Sequence, residues 1–251
     1  LICKMGRNIR TMKGFLVVLG AAAPMSGLIY VITRNLSSAI IIMGIAVVML
    51  FVACPDYKRF IILGLIGVAG VAGIVFLIVK MSEGGSVGSF RGKRILAWLD
   101  PEAYASGKGF QTLQALYAIG SGGILGKGLG QSMQKLGFLP EAQNDMIFSV
   151  ICEELGLFGA IAVLLMFILL IWRCMIIANN APDLFGALLV VGVMGHIAIQ
   201  VILNVAVVTN TIPNTGISLP FISYGGSSVM FLLAEIGIVF SVGRGIRLKD
   251  L

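Results

Sequence analysis

The sequence predicts an all-α integral membrane protein, a polytopic bundle of six spanning helices with one large loop that carries short amphipathic helices. Three observations lead there. Of 251 residues, 58% are hydrophobic and only 12% charged, whereas a soluble domain is about a quarter charged. Six apolar runs approach the ~20 residues that a bilayer-crossing helix needs. Lys and Arg gather at the ends of those runs and in one loop, so the net charge of +7 is read as setting membrane topology, not as attracting nucleic acid.

The spans are expected at 14–32, 36–54, 60–80, 146–172, 186–208 and 218–242, in a single membrane domain of 1–251. The first follows Lys4, Arg7, Arg10 and Lys13, as the apolar part of a signal peptide would. Its length and the spans after it argue against cleavage. Leu1 stands where a start Met would, and the chain is read as an N-terminally truncated fragment. With residue 1 cytoplasmic, ten basic residues fall inside and eight outside, and seven of the outer eight belong to one long loop and its edge. Long loops count little for the charge rule. Both termini are therefore expected in the cytoplasm, with residues 81–145 as a large outer loop. Cys3, Cys54, Cys152 and Cys174 lie in or beside apolar runs without metal-ligand spacing and read as small apolar residues.

A loop this long inside a compact protein is usually functional or a linker. "GKRILAWL" and "FQTLQALYAIG" carry apolar residues at helical spacing, which predicts amphipathic helices at the membrane surface. "SGGILGKGLGQS" follows. It fails as a phosphate-binding P-loop, because Ser121 takes the place of the first glycine and Gly128 follows Lys127. Tight backbone turns are the favoured role for these glycines; close approach to an anionic ligand, helped by Lys127, is the alternative.

"LPEAQNDMIFSVICEELG", residues 139–156, places Asp145, Glu153 and Glu154 at the head of an apolar helix. Asp145 suits an N-cap, where negative charge also favours the helix dipole. Glu153 and Glu154 fall about 12–14 Å deeper at 1.5 Å per residue. Carboxylates at that depth face a bundle interior, a cavity or a partner. Glu235, inside the last span, raises the same question without an answer in the sequence. His196, Gln200 and Asn204 recur every four residues on one face of the fifth span. Hydrogen bonds between helices are favoured for them over a metal site, since one His with two amides is a poor ligand set.

"NTGISLPFISYGGSS" (214–228) and "GKGFQTLQALYAIGSGGILGKGLGQSMQKLGFLPEAQNDMIFSVICEELGLFG" (107–159) resemble the two motif blocks of the SEDS family (shape, elongation, division and sporulation), which holds the FtsW, RodA and SpoVE proteins. Gln200, Asn204 and Pro213 also match. The spacing is closer to FtsW and SpoVE than to RodA. One departure is "RNLSSA" (34–39), where Asn35 replaces an acid that the family often has.

The resemblance implies a fold of ten transmembrane helices, six of them present here. It implies a peptidoglycan glycosyltransferase, which polymerises lipid II into glycan strands at the outer face of the bacterial cytoplasmic membrane, in division, elongation or sporulation. The implied partners are lipid II, the growing glycan strand, a class B penicillin-binding protein (a transpeptidase) and membrane lipids. The family's essential acid maps onto Asp145 as catalytic residue. Arg91, Lys93, Arg94 and Lys127 are the candidates for holding the pyrophosphate, and Gln111, Ser223 and Tyr224, inside the motif blocks, join them as substrate-binding candidates. Glu153, Glu154, Gln200 and Asn204 are expected to shape the cavity. No metal site is visible; a divalent cation, Mg or Mn, is the one cofactor this chemistry would admit. Two rivals belong to other classes: a lipid II flippase or transporter, and a non-catalytic scaffold that recruits a penicillin-binding protein. A transporter would place its decisive charges at the midplane, whereas Asp145 lies at the mouth of a span beside a basic loop.

Overall fold

The computed structural model describes residues 1–54, 56–83, 90–107 and 109–246, apart from the side chains of 7, 81–83, 90, 91 and 93. The described residues are helical throughout their regular structure. The order is α1 (Ile2–Met5), α2 (Met12–Thr33), α3 (Leu36–Ala53), α4 (Tyr57–Glu83), α5 (Phe90–Leu99), α6 (Phe110–Gly122), α7 (Ile147–Asn179), α8 (Leu184–Val208) and α9 (Gly226–Arg244), with 3₁₀ turns at Gly6–Arg10 and Gln134–Leu136. Six of these, α2, α3, α4, α7, α8 and α9, are long and apolar enough to cross a membrane. The six expected spans are thus present, and the loop's two amphipathic runs fold as α5 and α6.

Two boundaries differ from expectation. The last spanning helix begins at Gly226, not near 218. Pro220 and a local turn hold 219–225 apart: Leu219 N–H donates to Ser223 Oγ (2.7 Å) and Ser223 N–H returns to Leu219 O (3.0 Å). Helix α7 runs on past Arg173 to Asn179. An Arg near a helix end reaches the interface with its long stem, and the helix stops just before Pro182, which disfavours helical geometry in the residue before it.

The chain divides into two compact units: Leu1–Tyr57 with Val163–Ile202 and Leu219–Leu251, and Lys58–Ala162 with Leu203–Ser218. In the first, Thr11 caps α2 by accepting from Gly14 N–H, and Asn35 caps α3 by accepting from Ser37 N–H. The residue that replaces the family acid thus starts a helix here. Ser26 Oγ donates to Ala39 O at 2.8 Å, tying α2 to α3. Small residues bring α8 close to α3: a Cβ on Gly44 would sit 2.8 Å from Ile199, and one on Gly195 3.0 Å from Val48. Close backbone approach of this kind is how membrane helices gain packing without a hydrophobic drive. Glu235, unexplained by the sequence, meets His196 Nδ1 at 2.9 and 3.0 Å between α9 and α8. Most of the apolar surface of α4 is exposed, as expected where lipid is the solvent.

Candidate active site

The second unit holds Asp145. It lies two residues before α7 and is 9% exposed. Asn204, fully buried on α8, fixes it through the backbone: its Nδ2 donates to Asp145 O and to Ile217 O, both at 2.7 Å. One side chain thereby joins the head of α7 to the 210–218 segment. The Asp145 carboxylate faces Gln111 on α6, whose Nε2 lies 3.4 Å from both Asp145 Oδ1 and Pro140 O. Gln111 is oriented in turn by Asn214, which donates to Gln111 Oε1 at 2.9 Å. Arg94 on α5 reaches Asn214 O at 3.4 Å. Asn214, noted in the sequence only as a mild departure from the family pattern, is the hub between Arg94 and Gln111. Its position inside the 214–228 motif was the signal that could have found it.

Burial pushes the Asp145 carboxyl up from 3.8 to about 6, against its own backbone hydrogen bond, with Glu141 adding to the rise and Arg94 opposing it. At neutral pH it is therefore ionised but basic enough to take a proton, the range that suits a general base. A cavity of about 190 Å³ is lined by Arg94, Trp98, Gln111, Thr112, Pro140 and Asn214 among others, and Gln111 is the lining residue that also meets Asp145. Trp98 is held there by donating from Nε1 to Asn210 O at 3.0 Å.

Glu153 and Glu154 do different work. Glu153 is fully buried and accepts from Lys127 Nζ (2.7 Å), Ser132 Oγ (2.5 Å) and the Met133 and Gln134 N–H groups. Glu154 accepts from Gly130 N–H (2.9 Å), Ser132 N–H and Lys135 Nζ (2.5 Å). Together they fasten the glycine-rich segment to α7. The helix breaks there: Gly156 has φ 65 and ψ −162. The break frees the Glu153 and Glu154 carbonyls, which accept from Lys127 and Gly128 N–H at 2.9 Å, while Leu157 N–H donates to Gly123 O. Such contact requires glycine: a Cβ on Gly126 would lie 2.2 Å from Glu154 O, and one on Gly156 2.4 Å from Gly126 N.

The remaining expected site residues fall as follows. Lys127 has its ammonium on Glu153. Ser223 closes the turn before α9, and Tyr224 is exposed, both in the first unit. Gln200, also assigned there, leaves its Oε1 buried without a partner among the described residues, as Asn204 does its Oδ1. The side chains of Arg91 and Lys93 lie outside the described residues. Among the described residues no three His, Cys, Asp or Glu side chains form a metal-holding group.

A family model described as a cell cycle protein of the FtsW, RodA and SpoVE kind matches residues 3–247. Stage V sporulation protein E of Bacillus subtilis is 43% identical over 239 residues, 95% of this chain and 62% of that protein. A probable peptidoglycan glycosyltransferase FtsW of Geobacter metallireducens is 42% identical over 216 residues, 85% of this chain and 54% of its own length. The chain thus spans between half and two thirds of these relatives. Among solved structures, a chain from a study of polymerization and crosslinking by a peptidoglycan synthase complex superposes with a TM-score of 0.73 at 27% identity, over 97% of this chain and 65% of that one. The rod shape determining protein RodA of Thermus thermophilus shares the fold, with a TM-score of 0.57 at 24% identity over 97% and 60% of the two chains.

Proposed function

The chain belongs to the FtsW, RodA and SpoVE family of cell cycle proteins, and from that premise we propose that it is the larger part of a peptidoglycan glycosyltransferase polymerising lipid II. The observation that carries the reading is Asp145: a buried carboxylate with its pKa raised to about 6, fixed by Asn204 and flanked by Gln111 and the Arg94 cavity. In the reaction a sugar hydroxyl of one substrate attacks the anomeric carbon of the other. The new C–O bond forms as the bond to the lipid pyrophosphate breaks, and the electron pair leaves with the pyrophosphate. Asp145 takes the hydroxyl proton, a contribution of typically about 10²–10⁴-fold. Arg94 faces the developing pyrophosphate charge, with Arg91 and Lys93 on the same short helix. A divalent cation would take most of its shell from the substrate's phosphates, since Mg binds through one or two carboxylates plus phosphates; Glu141, the acid next to Asp145, would be the carboxylate that joins them while Asp145 stays the base.

The pairing of the other acids supports this reading over a transporter. Glu153 and Glu154 are engaged by Lys127 and Lys135, in fastening the glycine-rich segment to α7, and Glu235 by His196. The proposal places the 81–145 loop outside, both termini of the chain in the cytoplasm, and a class B penicillin-binding protein alongside. A cysteine at the exposed Ala105 should then react with an impermeant thiol reagent in intact cells, and one at Asn180 should not; the reverse labelling would remove the orientation. The activity is tested with the whole protein, lipid II and the partner transpeptidase, with products resolved on a gel. Asp145→Asn should insert, bind lipid II and make no polymer. Polymer at the unsubstituted rate would remove Asp145 as the base.

A further inference from the structure

The glycine-rich segment fastened to α7 turns its polar groups inward and its apolar side chains out. Leu125 is 80% exposed and Leu129 76%, with Ile124 beside them. The geometry points to this segment, residues 122–130, being a lipid-seated anchor: its apolar tip rests in the hydrocarbon edge of the membrane leaflet and fixes the height of Asp145 above it. This rests on α7 crossing the membrane and not on the glycosyltransferase reading.

The depth follows from α7. Residues 155–172 form an uncharged run bounded by Glu154 and Arg173. At 1.5 Å per residue its 18 residues span about 27 Å, close to the ~30 Å of a hydrocarbon core. The core edge therefore lies near Leu155. The segment is bonded to α7 at Glu153, Glu154, Leu157 and Phe158, which brings its tip to that edge. Leu157 and Phe158 are themselves exposed on α7 and border the segment, so its apolar tip continues an exposed apolar surface of a helix long and apolar enough to cross a membrane.

Irregular backbone is tolerated at this depth only where its polar groups are satisfied, and much of this segment's hydrogen bonding is made to itself and to α7. The N–H groups of Gly126, Lys127, Gly128, Gly130 and Gln131 all find acceptors within the segment or on α7. The Gly123 and Ile124 carbonyls accept from Leu157 and Phe158. The ammonium groups of Lys127 and Lys135 are bound to Glu153 and Glu154. The consequence is a fixed height: Asp145 precedes Leu155 by ten residues, about 15 Å at helical rise. That exceeds the ~5–7 Å of one headgroup layer and is where a sugar carried on a lipid pyrophosphate stands.

The test uses the whole chain in phosphatidylcholine–phosphatidylglycerol vesicles. The exposed Cys3 is replaced by Ser, the other three cysteines being buried. A nitroxide is attached at Leu125→Cys or Leu129→Cys, with Ala105→Cys as the aqueous control. The anchor requires broadening by oxygen and loss of broadening by a water-soluble nickel chelate at 125 and 129, with the opposite at 105. Chelate access at 125 and 129 equal to that at 105 overturns it. Shielding from both reagents also overturns it, because a protein surface then covers the tip. If neither cysteine variant folds, Leu125→Trp decides by the same logic, since its emission must be quenched by lipids brominated along their chains. None of these readouts involves lipid II polymerisation, so failure of the anchor is distinguishable from failure of the proposed activity.

Discussion

Asp145→Asn should separate activity from stability in opposite directions. Burial raises the Asp145 carboxyl from 3.8 to about 6. Each pKa unit is worth about 1.4 kcal/mol, so ionising this group in the folded protein costs on the order of 3 kcal/mol. Below about 3.8 the group is protonated in both folded and unfolded chains and the cost is absent. As pH rises toward 6 the unfolded chain releases its proton first, and the cost grows. Above 6 it is complete. The amide substitution keeps the backbone carbonyl that Asn204 holds and removes the charge, so it should be neutral at pH 4 and stabilising at pH 7.5. At about 2–4 °C per kcal/mol for a chain of this size, the neutral-pH gain is several degrees in the unfolding midpoint. Thermal unfolding in detergent at the two pH values, with intrinsic fluorescence as readout, measures it. An amide variant less stable than the parent at pH 7.5, or shifted equally at both pH values, would refute the argument that desolvation governs this carboxylate. The same group sets the rate profile: polymerisation should rise with pH through about 6 and level above it.

Gln111→Leu removes the donor facing Asp145 and should move the midpoint of that rate profile up by as much as about one unit; an unchanged midpoint would leave Gln111 as cavity lining only. Arg94→Gln should do the same through lost charge and also weaken lipid II binding, with a smaller salt dependence than the parent; unaltered affinity at low salt would remove it from the pyrophosphate site. Asn204→Leu strands the buried Asp145 and Ile217 carbonyls, at about 1–3 kcal/mol each, and should lower the unfolding midpoint. Loss of activity with no loss of stability would mean that Asn204 acts on substrate instead.

Spans and loop helices were legible because each rests on a local pattern, an apolar run or a helical repeat. Asp145 was legible as a chemical candidate because the resemblance is carried by contiguous residues. Its setting was not, since Gln111 meets it from 34 residues away and is itself held by Asn214, 103 residues further along the chain, and no periodicity encodes such a meeting. The same limit hid the partner of Glu235: His196 was visible as part of a stripe, but which acid it faces is decided by the packing of α8 on α9. The late start of α9 was missed because "SLPFIS" is apolar enough to extend the hydropathy of the span, while Pro220 and the Ser223 hydroxyl hold it in a turn.

The break at Gly156 makes the glycine-rich segment impossible to graft as a loop. Residues 122–130 supply acceptors that a continuous helix would find within itself, and residues 153–158 supply donors and acceptors that a free loop would take from water. A chimera that exchanges 122–137 alone leaves the break in α7 unmatched; one that exchanges 153–158 alone leaves the segment without its socket. The transferable module is therefore discontinuous, and an exchange between relatives must carry both pieces to be read as anything other than damage to α7.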